Sequence, residues 1–273
     1  MKKMMLLVLI GSLAVSCKKN GSPGAKEQLL SKVYENDELL YAFEYRADRK
    51  LHRLKKYPSG SLTPNIIYEY EYDAKGRLQQ KTYINGLTGI PGVRFLYESN
   101  DAGQIVKRLA YDISGADSGK LSLWAAYSYN AQKRMVKENN YFGDDKPAGY
   151  RTWEYADNGT VLSIKAYGEK PSGSMLVELW ECYGGAPQVD PGIIKAWVEP
   201  GETELLFFDA DKIDITHYSD GSAHAKYRYL LSDRKTVGTA MQLSEQLITY
   251  VKVFPAAPSL VELRQMRYEY VEQ

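Results

Sequence analysis

Few residues of this chain stand at spacings that support chemistry, and each such group competes with a packing role. His217 and His224 flank Tyr218 to Ala223 and would clip a metal across a hairpin only if both rings shared a face. A three-residue Ser219-Asp220-Gly221 loop sets Ile213, Ile215 and His217 opposite Tyr227, Ala225 and Ala223. That register buries one apolar face, and the buried face fixes register. It sends the two imidazoles to opposite faces, so no metal is expected. Asp209 to Asp214 with Asp220 begins like a calcium loop, but Ile213 stands at a ligand position and Asp214 where the loop requires glycine. Ser114 to Lys120 lacks the first glycine of a phosphate loop and the Ser/Thr after the lysine. Cys182, between Trp180 and Tyr183, has no histidine at a telling spacing and reads as a buried structural thiol. Asp144 and Asp145 are adjacent carboxylates on a loop, and no carboxylate pair is set at glycosidase separation. The expectation is a protein with no catalytic group and no cofactor.

The larger chemical resource is aromatic: 23 tyrosines and four tryptophans. Cross-strand packing accounts for many, since aromatic pairs stabilise a sheet by roughly 0.2–1 kcal/mol each. The functional alternative is a platform for sugar rings or an extended peptide, with hydroxyl and indole N–H groups left to hydrogen-bond. Tyr70, Tyr72, Phe95, Tyr127, Tyr129, Trp153 and Tyr155 fall on one face of their strands and form the candidate binding surface.

What positions them is a repeated hairpin. Tyr68, Tyr70 and Tyr72 alternate with Glu69 and Glu71, the period of a strand with one covered face. Asp73-Ala74-Lys75-Gly76 then reads as a turn closed by a residue at positive φ, which glycine adopts without strain. Tyr72 faces Leu78 across the turn. The rule of aromatic at i, Gly at i+4 and apolar at i+6 recurs at Tyr45/Arg49/Leu51, Ser99/Gly103/Ile105, Tyr129/Lys133/Met135, Tyr155/Gly159/Val161 and Tyr183/Pro187/Val189. Successive starts lie 26 to 30 residues apart, the mark of one supersecondary unit stacked on its neighbours. A left-handed Arg49 or Lys133 would cost roughly 1–2 kcal/mol, so relaxed turns are expected there, and Pro187 cannot take positive φ at all.

Tyr-x-Tyr-Asp-x-x-Gly-Arg-Leu at residues 70 to 78 resembles the YD repeat of the RHS family, and the chain is similar to the short RHS-repeat-like lipoproteins of Bacteroidota. The resemblance covers roughly residues 40 to 190. In long RHS proteins such repeats imply a strip of hairpins spiralling into a shell around a toxin. With no self-cleaving motif or toxin tail here, only the hairpin strip carries over.

Met1-Lys2-Lys3 and the apolar run Met4 to Val15 have the shape of a secretory signal, residues 1–16, too short to span a bilayer as a helix. Ala14-Val15-Ser16-Cys17 resembles a lipobox, which makes Cys17 the lipidated first residue of the mature chain. Residues 17–28 are a polar, flexible tether. Lys18 is not the Asp of an inner-membrane retention signal, and the tether lacks an acidic surface-export run. The expected place is therefore the outer membrane, on its periplasmic face. Removing Met1 to Ser16 takes Lys2 and Lys3 from the 35 basic residues, leaving 33 against 34 acidic ones. No basic face recommends a nucleic-acid partner, and Cys182 has no disulfide partner left.

From residue 29 to 273 the pattern is strand after strand: regular repeats to about 190, then an irregular β part at 191–273. Tight turns alternate with longer loops at Pro58 to Asn65, Asn85 to Gly92, Asp112 to Lys120, Phe142 to Gly149 and Gly168 to Ser174. An antiparallel meander puts the two kinds on opposite rims. Near eighteen strands are expected, and open sheets of more than ~10 curl or split. The fold expected is all-β: one antiparallel meander forming a curled open sheet or a wide barrel. Beyond the turns the inner face is expected to carry Leu78, Gln80 and Thr82, then Ile105, Lys107 and Leu109, and so on. The functional expectation is a non-enzymatic envelope lipoprotein with a membrane lipid anchor. It would bind a polysaccharide or extended polypeptide on the aromatic face or long-loop rim, or dock an envelope protein through a sheet edge.

Overall fold

The computed structural model describes residues 28–171, 173–184, 210–237, 242–254 and 259–272. Cys17, the signal, the tether up to residue 27 and Pro187 lie outside the described residues, while Gln28, expected in the tether, begins the first strand. Sixteen strands are described: β1 (Gln28–Glu35), β2 (Glu38–Tyr45), β3 (Leu51–Lys56), β4 (Ile66–Tyr72), β5 (Leu78–Asn85), β6 (Pro91–Ser99), β7 (Ile105–Asp112), β8 (Leu121–Tyr129), β9 (Met135–Phe142), β10 (Pro147–Tyr155), β11 (Val161–Lys170), β12 (Gly173–Tyr183), β13 (Lys212–Ser219), β14 (Ser222–Val237), β15 (Gln242–Phe254) and β16 (Ser259–Glu272). Each pairs antiparallel with its sequence neighbour, and β16 closes on β1. The sheet is therefore a closed barrel, one of the two forms expected.

Each tight turn is fixed by its own chemistry. The Asp73 carboxylate accepts from the Lys75 and Arg77 amides, both at 2.9 Å, and from Arg77 Nε at 2.7 Å. The Gly76 amide donates to Asp73 O at 2.8 Å, with Gly76 at φ 79. Asn100 and Asn130 take the same place, their side chains accepting from Gln104 N and Arg134 N at 2.9 Å. Arg49 and Lys133 do not relax their turns as expected; they stand at φ 66 and 63. The Arg46 and Asn130 carbonyls accept their amides at 2.9 Å, so the backbone keeps the glycine geometry and bears the strain.

After each turn comes a bulge that the sequence does not announce. Tyr72 pairs with Leu78, as expected, but Glu71 pairs with Gln80, leaving Gln79 unopposed. The same slip follows Tyr45/Leu51, Ser99/Ile105, Tyr129/Met135 and Tyr155/Val161. An extra residue reverses the alternation. The expected inner positions Gln80, Lys107, Lys137 and Ser163 thus face outward, and Leu54, Lys81, Arg108, Glu138 and Ile164 take the inner places opposite Phe43, Tyr70, Tyr97, Tyr127 and Trp153.

Buried residues on the inner wall come from every strand around the ring, among them Leu30, Phe43, Leu54, Tyr70, Tyr97, Trp153, Ile164, Ile213, Ile248 and Tyr268. The core lies inside the barrel, weighted towards the tight-turn rim. The seam is held by Ser31 Oγ donating to Glu269 O at 2.9 Å and Tyr45 Oη to Leu30 O at 2.7 Å. Gln28 opposite Glu272 places the start of β1 and the end of β16 at the tight-turn rim.

Candidate functional site

All seven aromatic residues singled out from the sequence stand on the inner wall, but in different states. Tyr70, Tyr127 and Trp153 are 4%, 6% and 6% exposed. Tyr72, Tyr129 and Tyr155 are half-buried and donate their hydroxyls to the carbonyls of Leu51, Ile105 and Met135 at 3.0, 2.6 and 2.7 Å. In each case the acceptor is the i+6 residue of the preceding repeat. Burial, with the Asp48 charge second, pushes the Tyr72 hydroxyl up to about 12. Burial and then Tyr155 do the same for Tyr129, also to about 12. Neutral, hydrogen-bonded phenols stitch one hairpin to the next, and Ser99 leaves that stitch out at Leu78.

Cations lie over three rings of the set: Lys50 over Tyr72 at 5.3 Å and Arg134 over Tyr155 at 5.7 Å, both beside the tight turns, and two cations over Phe95. Lys81 Nζ lies 4.6 Å from the Phe95 centroid and 4.8 Å from that of Tyr68, while the Arg108 guanidinium is 5.9 Å from Phe95. Lys56, at the long-loop end of β3, continues the series over Tyr68 at 5.7 Å and Tyr41 at 5.4 Å. Cations over aromatic faces attract by roughly 0.5–2 kcal/mol, more as water is excluded. Further round, Glu138 Oε1 is 3.5 Å from Arg108 and its other oxygen 3.9 Å from Arg151. A band of rings and cations therefore runs along the inner wall from β2 to β10.

This band borders water. Leu123 and Phe142, paired on the inner wall towards the long loops, are 46% and 50% exposed. The Arg151 side chain is 46% exposed. Sixteen-stranded closed sheets are wide enough to hold water, and among the described residues the inner-wall side chains towards the long-loop rim include these exposed ones while those towards the tight turns are buried. On the far wall Arg264 pairs with Glu35 and Glu262 at 3.1 and 2.6 Å, and His217 Nδ1 lies 3.3 Å from a Glu178 oxygen.

The β13–β14 hairpin departs from its expected register. Asp220 and Gly221 at φ 49 and 79 form a two-residue turn, and a bulge then sets His217, Ile215 and Ile213 opposite Ala225, Tyr227 and Tyr229. The apolar face is buried as expected, but two residues along. The bulge brings the His224 ring within 6.3 Å of His217, so the imidazoles are neighbours, not on opposite faces. Among the described residues no group of three His, Cys, Asp or Glu side chains is set to hold a metal ion. Cys182 is buried.

Sequence reasoning missed a second aromatic group, on the outer wall. Trp124 stacks on Tyr141 at 4.0 Å and Tyr150 on Tyr167 at 4.5 Å. Lys107 and Lys137 lie over Trp124 and Tyr150 at 5.1 and 4.7 Å, and Asp145 accepts from Trp124 Nε1 at 2.9 Å. Rings stacked face to face on each other serve packing. The remaining outer wall is charged at mid-height, as in Arg53 with Glu69 at 2.8 Å and Arg228 with Asp214 at 2.7 Å.

Among solved structures the chain is similar to a porin-like protein from Bacteroides uniformis, with a TM-score of 0.52 and 12% identity over 89% of this chain and 95% of that one. A porin-like protein from Bacteroides vulgatus gives 0.46 and 10% over 90% and 99%. The TcdB2-TccC3 complex gives 0.20 and 13% over 83% of this chain and 12% of its own. No family model and no curated protein matches the sequence. The likeness to the first is one of fold. The charged outer wall is not a lipid-facing one, since a Lys or Arg facing lipid at mid-bilayer costs about 2–4 kcal/mol.

Proposed function

We propose that the protein is a non-enzymatic lipoprotein of the outer membrane, facing the periplasm, whose barrel binds a glycan or an extended polypeptide in its open end. The observation that carries this reading is the ring-and-cation band from Tyr41 to Arg151 on a water-accessible inner wall. It supplies apolar faces, hydrogen-bonding hydroxyls and fixed charge in one concave surface. The envelope reading draws on the signal-like first 16 residues and Cys17, and the charged outer wall fits a body held beside the membrane. β1 starts at the tight-turn rim, the end opposite the exposed inner-wall residues. Closure leaves no free edge among the described strands, so strand addition has no acceptor there.

The test is a thermal-shift panel on the mature chain beginning at Cys17, using polysaccharides, peptidoglycan fragments and polypeptides. A ligand at ~100 times its Kd stabilises by about 2.7 kcal/mol. A shift from one polymer class that is lost in Phe95→Ala supports binding in the barrel. Silence from every polymer, or a shift unaffected by Phe95→Ala, defeats it.

A further inference from the structure

Within that reading, on which this step rests, we infer that the open end selects an acidic glycan, a chain whose sugars carry carboxylates. The two halves of the inner wall differ in how their charges are used. On the β12–β1 side, Arg264 pairs directly with Glu35 and Glu262, and Glu178 stands beside His217. On the β3–β10 side, four cations, Lys56, Lys81, Arg108 and Arg151, stand against two inner-facing carboxylates, Glu138 and Asp112. Glu138 is spanned by both arginines. Lys56 has the rings of Tyr41 and Tyr68 about its ammonium. The open end therefore carries a positive wall facing one whose Arg264 is already held by carboxylates, and a polyanion lies against the first.

The choice of glycan over acidic polypeptide follows from the lining and the closure. An extended peptide is held chiefly by main-chain hydrogen bonds to a sheet edge, and this ring offers none among the described strands. A sugar chain needs hydroxyl partners and apolar ring faces, which Tyr41, Tyr68 and Phe95 supply between the cations. Carboxylates along the chain would meet Lys56 and Arg151, the two ends of the positive wall, with Lys81 and Arg108 between them.

The experiment is calorimetric titration of the mature chain with oligogalacturonate, its methyl ester, and poly-L-glutamate. The expected result is that oligogalacturonate binds about tenfold or more tighter than its ester, a difference of roughly 1.4 kcal/mol. Arg151→Gln and Lys56→Gln should each weaken it about threefold, as for half-exposed charge pairs, while outward-facing Lys165→Gln leaves it unchanged. Binding should also weaken as salt rises from about 50 mM to about 0.5 M. Equal affinity for acid and ester overturns the inference while leaving binding in the barrel intact. Tighter binding of poly-L-glutamate than of the glycan assigns the wall to an acidic polypeptide. Loss in Lys165→Gln as large as in Arg151→Gln places the binding outside the barrel, and no binding of the acidic glycan refutes the inference outright.

Discussion

The Tyr72 hydroxyl donates to the carbonyl oxygen of Leu51, 3.0 Å away and one repeat back. Tyr129 to Ile105 and Tyr155 to Met135 repeat the relationship. The residue that marks the repeat in sequence is thus also the one that joins repeats. Removing only the oxygen isolates that bond: Tyr72→Phe, Tyr129→Phe and Tyr155→Phe should each cost about 1 kcal/mol. Urea unfolding with unchanged slope is the measurement, and Tyr83→Phe, whose ring tilts against Tyr68 at 6.0 Å, is the comparison.

The same bonds set an alkaline limit. An ordinary tyrosine ionises near 10.0, whereas Tyr72 and Tyr129 are held up to about 12. A raised folded-state value means stability that is complete below pH 10 and lost as pH climbs through 12. Thermal unfolding should therefore fall steeply across that window. The Tyr72→Phe/Tyr129→Phe double variant should show a shallower fall, and ultraviolet titration should find the late-ionising phenols missing from it.

Much of the fold was legible because its signals are local. Tyr72, Gly76 and Leu78 state one hairpin completely, and Asp73 closes its own turn. The bulge at Gln79 was not legible, since nothing in Leu78-Gln79-Gln80-Lys81 distinguishes a slipped register from a regular one. That single residue decides whether Gln80 or Lys81 faces inward, so the sequence reading placed Gln80, Lys107 and Lys137 where the structure has Lys81, Arg108 and Glu138. The seam was hidden for another reason: Val33 and Tyr268 meet across nearly the whole chain, and only closure of the ring pairs them. The candidate aromatics were found on the correct wall, but their division into buried, stitched and charge-facing rings depends on height in the barrel, which periodicity does not encode.

Asp214 faces outward, yet its side chain is only 2% exposed, beneath Arg228 at 2.7 and 2.8 Å and Lys226 at 3.2 Å. Burial alone would raise its carboxyl, but hydrogen bonds from Arg228 and Lys226 outweigh it and hold the group below 3.8. A depressed value gives stability that is present above pH 3.8 and lost as pH falls through the folded-state value. Asp214→Asn should cost about 2–3 kcal/mol, because two cations lose their buried partner. It should also flatten the acid limb of a stability profile. Glu154→Gln, at a more exposed pair with Lys165 at 2.7 Å, should cost less than about 1 kcal/mol.

Arg49 and Lys133 occupy, at φ 66 and 63, the place that Gly76 and Gly103 fill at φ 79 and 80. A side chain there costs roughly 1–2 kcal/mol, and glycine returns roughly 0.5–1 kcal/mol of that through the freer unfolded chain. Arg49→Gly and Lys133→Gly should therefore each stabilise by about 0.5–1 kcal/mol, read as a rise in denaturation midpoint. The converse change separates backbone strain from crowding. A Cβ on Gly103 would meet nothing within 4 Å, whereas one on Gly76 would run into the flexible end of Lys50. If strain is the whole cost, Gly103→Ala should lose about 0.5–1 kcal/mol net of the same chain-entropy term, despite its open surroundings. A neutral Gly103→Ala would mean that these turns shift away from positive φ when asked, and that Arg49 and Lys133 are tolerated by relaxation after all.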